Sequence, residues 1–449
     1  MGNYFKKQKI FFALVGLIII STLLAFATVK IIRSRMYSKQ EVPRVEDNIE
    51  EPGITREGIP GGSGKWESVP PEPAEKVNPD DLPEHKKGEQ DGQPVEEPAG
   101  EGKPVKEEHV KVKGIYVSGW IAGTKERFDE LVELIETTEL NSMVIDVKED
   151  KGNITYLSDV PLVKEIDASI NMVGDIQKIM ATLKEKNIYP IARIVCFKDP
   201  LASGRLPDLA IKTKDGSLWR DNKGNTWLNP YNEETWKYIV DISKEAARLG
   251  FKDIQYDYVR FPTDGNIKTI DYGDAEKTKT KSQAIAEFLA YAKKELSPFG
   301  VHVSADIFGI VPVVEGDYEQ IGQHLEEISS EIDYICPMVY PSHYANASQN
   351  GVGQEINGIL YKYPDLEPYG VVYNTLVLAK KRLEASQAKA KIRPYLQDFT
   401  ASYLGKGNYQ QYGAEQIRDQ IQATYDAGLE EWILWDPSNR YTVDGLLKE

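Results

Sequence analysis

The chain has 449 residues, 41% of them hydrophobic and 10% aromatic, with a formal net charge of -16. That is enough apolar material for one large core, and the acidic balance excludes recognition of a phosphate backbone, which depends on a basic footprint. The two cysteines, Cys196 and Cys336, each lie in an apolar strand-like run and read as core thiols, so neither a disulfide scaffold nor a thiolate metal site is expected.

At the N-terminus Lys6, Lys7 and Lys9 precede an uncharged stretch, Ile10 to Val29, which is about as long as a helix needs to cross a ~30 Å hydrocarbon layer. Residues 1–35 therefore read as a cytoplasmic stub and a transmembrane signal anchor. The pattern Ala25-Phe26-Ala27 also fits a cleaved signal peptide, for which the apolar stretch is long. Residues 36–110 read as a disordered linker. From Glu41 to Val110 the chain holds 11 of its 25 prolines and 19 acidic against 8 basic residues, without periodic apolar positions, which makes a self-repelling, extended stalk. The expectation is a domain held on the extracellular side of a cell membrane, or secreted if the segment is cleaved.

Residues 111–449 change character. Eight strand-like runs follow: Val112 to Trp120, Ser142 to Lys148, Tyr189 to Phe197, Asp253 to Phe261, Val301 to Asp306, Ile332 to Tyr340, Lys391 to Phe399 and Glu431 to Trp435. Amphipathic segments such as Arg127 to Thr138, Met172 to Lys186, Glu233 to Leu249, Lys281 to Leu296 and Glu415 to Ala427 lie between them. Continuous apolar strands alternating with helices imply a parallel sheet under helices, and eight units predict a closed α/β (β/α)8 TIM barrel. An open doubly wound sheet is the alternative. No Gly-rich phosphate loop follows any strand, which removes the usual nucleotide chemistry of such a sheet.

In a barrel of this kind the site lies at the C-terminal ends of the strands. The candidates in chain order are Trp120, then Asp146, Lys148 and Glu149, Arg193, Asp257 with Tyr256 and Arg260, Asp306, Tyr340 and His343, Gln397 with Asp398, and Trp435 with Asp436. Carboxylates and aromatics dominate, as acetal cleavage on a sugar requires: rings stack on sugar faces, and paired carboxyl groups supply acid and nucleophile. Asp257 and Asp306 end consecutive strands and form the expected pair, with Asp257 as nucleophile and Asp306 as acid/base. Trp219 and Trp227, in the loop before Glu233, read either as a sugar platform or as rim packing. Five histidines without paired spacing make no zinc site, the Asp264 to Asp274 segment lacks the spacing of an EF-hand loop, and no Gly-x-Ser-x-Gly elbow follows a strand. No metal and no cofactor is expected.

The runs Gln255-Tyr256-Asp257-Tyr258-Val259-Arg260-Phe261-Pro262, Ser304-Ala305-Asp306-Ile307-Phe308-Gly309 and Cys336-Pro337-Met338-Val339-Tyr340-Pro341-Ser342-His343-Tyr344 resemble those of a bacterial family, the putative glycosyl hydrolase domain. The resemblance covers Lys113 to Leu446 and implies a (β/α)8 glycosidase distantly similar to α-amylase-type enzymes. It also implies a nucleophile at Asp257, an acid/base at Asp306 and a stabilising carboxylate at Asp398. Two departures stand out: strand five offers Asp where the amylase type has Glu, and Gln255 stands where that type has the Arg paired to its nucleophile. The expected partner is a polysaccharide or oligosaccharide. A glycan receptor without turnover, on the same barrel, is the alternative.

Overall fold

The computed structural model describes residues 110–448. The expected membrane span and stalk lie outside the described residues, and among the described residues no helix is long and apolar enough to cross a membrane.

Eight parallel strands close on themselves. They are β1 (Lys113–Val117), β2 (Ser142–Lys148), β3 (Tyr189–Val195), β4 (Asp253–Asp257), β5 (His302–Phe308), β6 (Tyr334–Val339), β7 in two pieces (Lys391–Ile392 and Tyr395–Gln397) and β8 (Trp432–Trp435). Each pairs in parallel with the next, and β8 returns to β1 through Lys113 opposite Trp432 and Ile115 opposite Leu434. The closed barrel excludes the open sheet. The break in β7 falls at Arg393 and Pro394; proline has no N–H to give the ladder.

The main helices are α1 (Lys125–Glu136), α2 (Ile176–Glu185), α3 (Glu233–Leu249), α4 (Lys281–Leu296), α5 (Leu325–Glu331), α6 (Pro368–Ser386) and α7 (Ala414–Asp426). Local signals set their ends. α3 starts at Asn232, whose side chain accepts the Glu234 N–H, and stops at Gly250 with φ 109°. α4 starts in a reciprocal Thr280/Gln283 capping box.

Period-two alternation divides each strand between two environments. Ile115, Met143, Ile145, Ala192, Ile194, Ile254, Val303, Ala305, Ile335 and Leu434 face outward and join the helices in one apolar layer. A second, smaller cluster of Val112, Val144, Ile191, Tyr334, Cys336, Tyr340, Tyr395 and Ile433 fills the barrel interior. The N-terminal end of the interior is closed by ions. Arg393 donates to Asp253 (2.8 Å) and Glu431 (3.0 Å), lies 3.6 Å over the Tyr334 ring, and Ser304 donates to the other oxygen of Asp253. The two cysteines are free and buried, as expected of core thiols.

Candidate active site

The interior alternation decides what reaches the C-terminal mouth. On β4 the inward positions are Asp253, Gln255 and Asp257; on β3 they include Arg193, and on β5 Ser304 and Asp306. Four neighbouring strands thereby deliver one connected cluster. Tyr116 of β1 donates to Asp146 of β2 at 2.7 Å. Arg193 donates to Asp146 through Nη1 at 2.7 Å, to Asp257 through Nε at 2.9 Å and Nη2 at 2.6 Å, and to Asp150 at 3.1 Å. The second oxygen of Asp257 accepts the N–H of Tyr258 at 2.6 Å. Tyr258 has φ 47°, a left-handed conformation disfavoured for a bulky residue, and there the strand ends.

Asp306 is held differently. Its Oδ1 accepts from Gln255 Nε2 at 2.7 Å, while Gln255 Oε1 accepts from the Tyr395 hydroxyl at 3.0 Å, so an interior relay runs from β7 through β4 to β5. Burial, then the charge on Asp257, push the Asp306 carboxyl well above the usual carboxylate range, against the pull of Arg193 and Gln255. Burial also raises Asp146, to about 6, despite Arg193 and Tyr116. Burial opposes ionisation of Asp150 as well, yet Arg193 and Lys198 hold that carboxyl below its ordinary value. One buried cation thus serves three carboxylates, while a fourth, Asp306, sits beside them with its carboxyl pushed toward the acid form.

The wall of the mouth is aromatic. Trp435 stacks on Tyr116 with ring centroids 3.9 Å apart, Arg193 lies 5.5 Å from the Trp435 ring, and the Trp435 indole N–H is buried without a hydrogen-bond partner among the described residues. Two strands along the barrel from Trp435 stands Tyr340, just past the end of β6. Burial and then the charges of Asp306 and Asp257 raise its phenol well above the usual value, and its ring meets His343 at 5.1 Å and Phe399 at 6.0 Å.

Of the sequence candidates, Asp146, Arg193, Asp257, Asp306, Tyr340 and Trp435 come together here, with His343 at the edge. Others take different places. Tyr256 has the opposite parity to Asp257, and its hydroxyl meets Ser243 of α3 in the helix shell. Lys148 is fully buried, held by Asp199 at 2.9 Å and by the Val195 carbonyl at 2.6 Å below the mouth, where a register shift follows Asp146. Both oxygens of Asp398 hold Thr442, through its N–H at 2.9 Å and its hydroxyl at 2.6 Å, so the expected stabilising carboxylate builds the C-terminal loop instead. Asp436 accepts from the Ser438 and Arg440 N–H groups in a turn. Gln397 is an interior hub between Ser342 and Asp365. Trp227 is buried with its N–H on Asp221, and Trp219 is equally buried, so that loop packs the rim and offers no open platform. Arg260 lies over Phe308, Tyr258 and Trp227 at 4.7, 5.0 and 5.3 Å, buried behind the mouth. Trp120 is 58% exposed on the short helix Gly119–Gly123 beyond β1.

Tyr116, Asp150, Gln255 and Tyr395 complete the cluster without having been singled out as ligands or acids. Tyr116 was recoverable, since it lies on the same face as Val112 and Gly114 and one residue before the strand ends. The cation paired to Asp257 comes from Arg193 on the neighbouring strand and not from the position of Gln255. Among the described residues no group of three or more His, Cys, Asp or Glu side chains is arranged to hold a metal ion.

A family model described as "Putative glycosyl hydrolase domain" matches residues 114–441. The chain belongs to this family. For the putative glycosyl hydrolase domain the fold follows as well. The glycoside hydrolase domain of PgaB (BpsB) from Bordetella bronchiseptica superposes with a TM-score of 0.53 at 12% identity, over 74% of this chain and 95% of that one. A hypothetical protein from Ruminiclostridium thermocellum ATCC 27405 is 43% identical over 43% of this chain and 96% of its own, with a TM-score of 0.40. The spore cortex-lytic enzyme SleL from Bacillus megaterium QM B1551 is 12% identical over 75% of this chain and 72% of that one, with a TM-score of 0.42. No curated protein matches the chain.

Proposed function

We propose that this protein is a membrane-tethered extracellular glycoside hydrolase that cleaves a polysaccharide with Asp257 and Asp306. The observation that carries the reading is the unequal pair: Asp257 accepts from Arg193 and from the Tyr258 N–H, while burial and the neighbouring charge push the Asp306 carboxyl well above the usual carboxylate range. A glycosidase needs that inequality. Asp306 gives its proton to the leaving oxygen as the glycosidic C–O bond breaks, and Asp257 bonds to the anomeric carbon. Asp306, now a base, takes a proton from the water that releases the sugar. The half-buried Trp435 ring, backed by Tyr116, is the face offered to a sugar ring. Tethering rests on the uncharged stretch Ile10 to Val29 and the acidic, Pro-rich segment after it.

The test is reducing-end release by the full chain in detergent across chitin, chitosan, peptidoglycan, starch, xylan and cellulose, beside Asp257→Asn. Release by the wild type alone supports the assignment; equal release by Asp257→Asn removes it. Retention of anomeric configuration, read by proton NMR of the first product, supports a nucleophilic Asp257, whereas inversion assigns it to water activation.

A second reading is favoured by one observation: both oxygens of Asp257 already accept hydrogen bonds, which suits a fixed, non-reacting carboxylate. A glycan receptor of this kind would bind an oligosaccharide in calorimetry and release nothing over days.

A further inference from the structure

A chain of hydrogen bonds beside the site fixes the proton positions on His343. Gln397 Nε2 lies 3.0 Å from Asp365 Oδ1 and 3.0 Å from the Phe399 carbonyl, and its Oε1 lies 3.1 Å from the Ser342 N–H and 2.7 Å from Ser342 Oγ. A backbone carbonyl only accepts and a backbone N–H only donates, so the amide has one possible orientation, with Oε1 toward Ser342. That oxygen cannot donate, so the single hydroxyl proton of Ser342 goes to Gln397. Ser342 Oγ is left as an acceptor, and 3.0 Å from it stands His343 Nδ1, with the Tyr403 hydroxyl at 3.3 Å. Nδ1 therefore carries a proton, and in the neutral ring Nε2 carries the lone pair.

The ring stands at the rim of the mouth. His343 is half-buried, 5.1 Å from Tyr340 and 6.1 Å from Phe399, and Tyr340 feels the charges of Asp306 and Asp257. We infer that His343 is a specificity-determining residue whose Nε2 accepts a hydrogen bond from a hydroxyl or N–H of the bound sugar, with Asp365, Gln397 and Ser342 as positioning residues that set its tautomer. The sugar contact rests on the glycoside hydrolase reading; the tautomer does not. A sugar presenting only an acceptor at this point, such as an O-methylated ring, is refused, because two lone pairs then meet. Acid has the same effect, since imidazolium Nε2 donates instead of accepting.

Two measurements test this separately. In the full chain with 15N-labelled histidine, His343 being assigned by its disappearance in His343→Ala, the ring nitrogens at neutral pH report the tautomer directly. A proton on Nδ1 is expected; a proton on Nε2 overturns the relay whatever the enzyme does. The second measurement is KM against pH for chitohexaose, its deacetylated form and maltohexaose. Ser342→Ala and His343→Ala should each raise KM roughly 3- to 10-fold on the cleaved oligosaccharide, the worth of one hydrogen bond. His343→Ala should also reduce the rise of KM on the acid side, Asp146, raised to about 6, accounting for what remains. Thermal melts identify variants that fail to fold, and Ser342→Cys, a weaker acceptor, should fall between wild type and Ser342→Ala. Unchanged KM profiles in folded variants overturn the sugar contact. Absence of turnover on every substrate overturns the hydrolase reading instead and leaves the NMR result standing.

Discussion

Arg193 and Asp257 face each other across neighbouring strands, with guanidinium Nε and Nη2 at 2.9 and 2.6 Å from one carboxylate oxygen. The same guanidinium also holds Asp146, so removing it strands two buried carboxylates at once. Arg193→Met should destabilise the fold by about 3–5 kcal/mol, read as a shift in the urea midpoint. Arg193→Lys keeps the charge and loses the fork, so stability should recover in part while turnover does not. A Met variant as stable as the wild type would contradict the central place of this cation.

Asp306→Asn should fold normally, because the amide oxygen still accepts from Gln255, and yet lower kcat by about 10²–10⁴, the usual worth of a positioned acid. The pH profile carries a sharper signature. The raised Asp306 carboxyl keeps its proton as pH climbs and then loses it, so activity falls on the alkaline side. The Gln255 N–H favours the ionised form; Gln255→Met should therefore move that limb to higher pH. A limb that stays in place would separate Asp306 from the acid role.

Asp398 gives a stability prediction. Burial raises its carboxyl to about 6, against the pull of Thr442, so the folded state binds this proton more tightly than the unfolded chain does. The contribution is fully present below about pH 4 and is lost as pH rises through about 6, at a cost near the top of that window of about 3 kcal/mol. Asp398→Asn, which can still satisfy Thr442, should flatten the decline of the urea midpoint between these pH values. Asp146, also raised to about 6, leaves a residual slope.

Tyr256 and Tyr340 should part company. Tyr256→Phe removes a hydroxyl that meets only the helix shell through Ser243, which costs about 1 kcal/mol of stability and leaves kcat near the wild-type value. Tyr340→Phe, at the mouth beside Asp306, should lower kcat/KM with little change in the melting temperature. The reverse pattern in steady-state kinetics and thermal melts would mean that the strand parity is misread.

The barrel itself was legible because apolar strands and amphipathic helices carry their periods in the residues; the spans Glu233 to Leu249 and Lys281 to Leu296 match α3 and α4. α6 was not, since Val371, Val372 and Thr375 favour strand and Gly370 disfavours a helix, and only the buried face of Val371, Val372, Leu376, Ala379 and Leu383 holds them helical. Within the site, a residue type at a strand end was readable, whereas its direction was not. The apolar run past Asp257 continues to Phe261, and nothing in that run announces that Tyr258 breaks the strand. Hydrogen bonds between strands far apart in sequence, such as Tyr395 to Gln255, leave no local mark at all.

β4 carries Asp253 at the closed end, Gln255 in the middle and Asp257 at the mouth, three polar residues in identical steps. A slide of this strand by two residues would keep every inward side chain inward and the outer layer apolar, so hydrophobic patterning gives the folding chain little reason to reject it. It would also put an amide where Arg193 needs a charge. The contact of Arg393 with Asp253, at the closed end of the barrel, therefore acts as a proofreading mark for the mouth: it ties the strand's first residue to a partner 140 positions away. A chain weakened there is expected to yield molecules of normal shape and helicity that never turn over, a failure that spectroscopy would pass as folded protein.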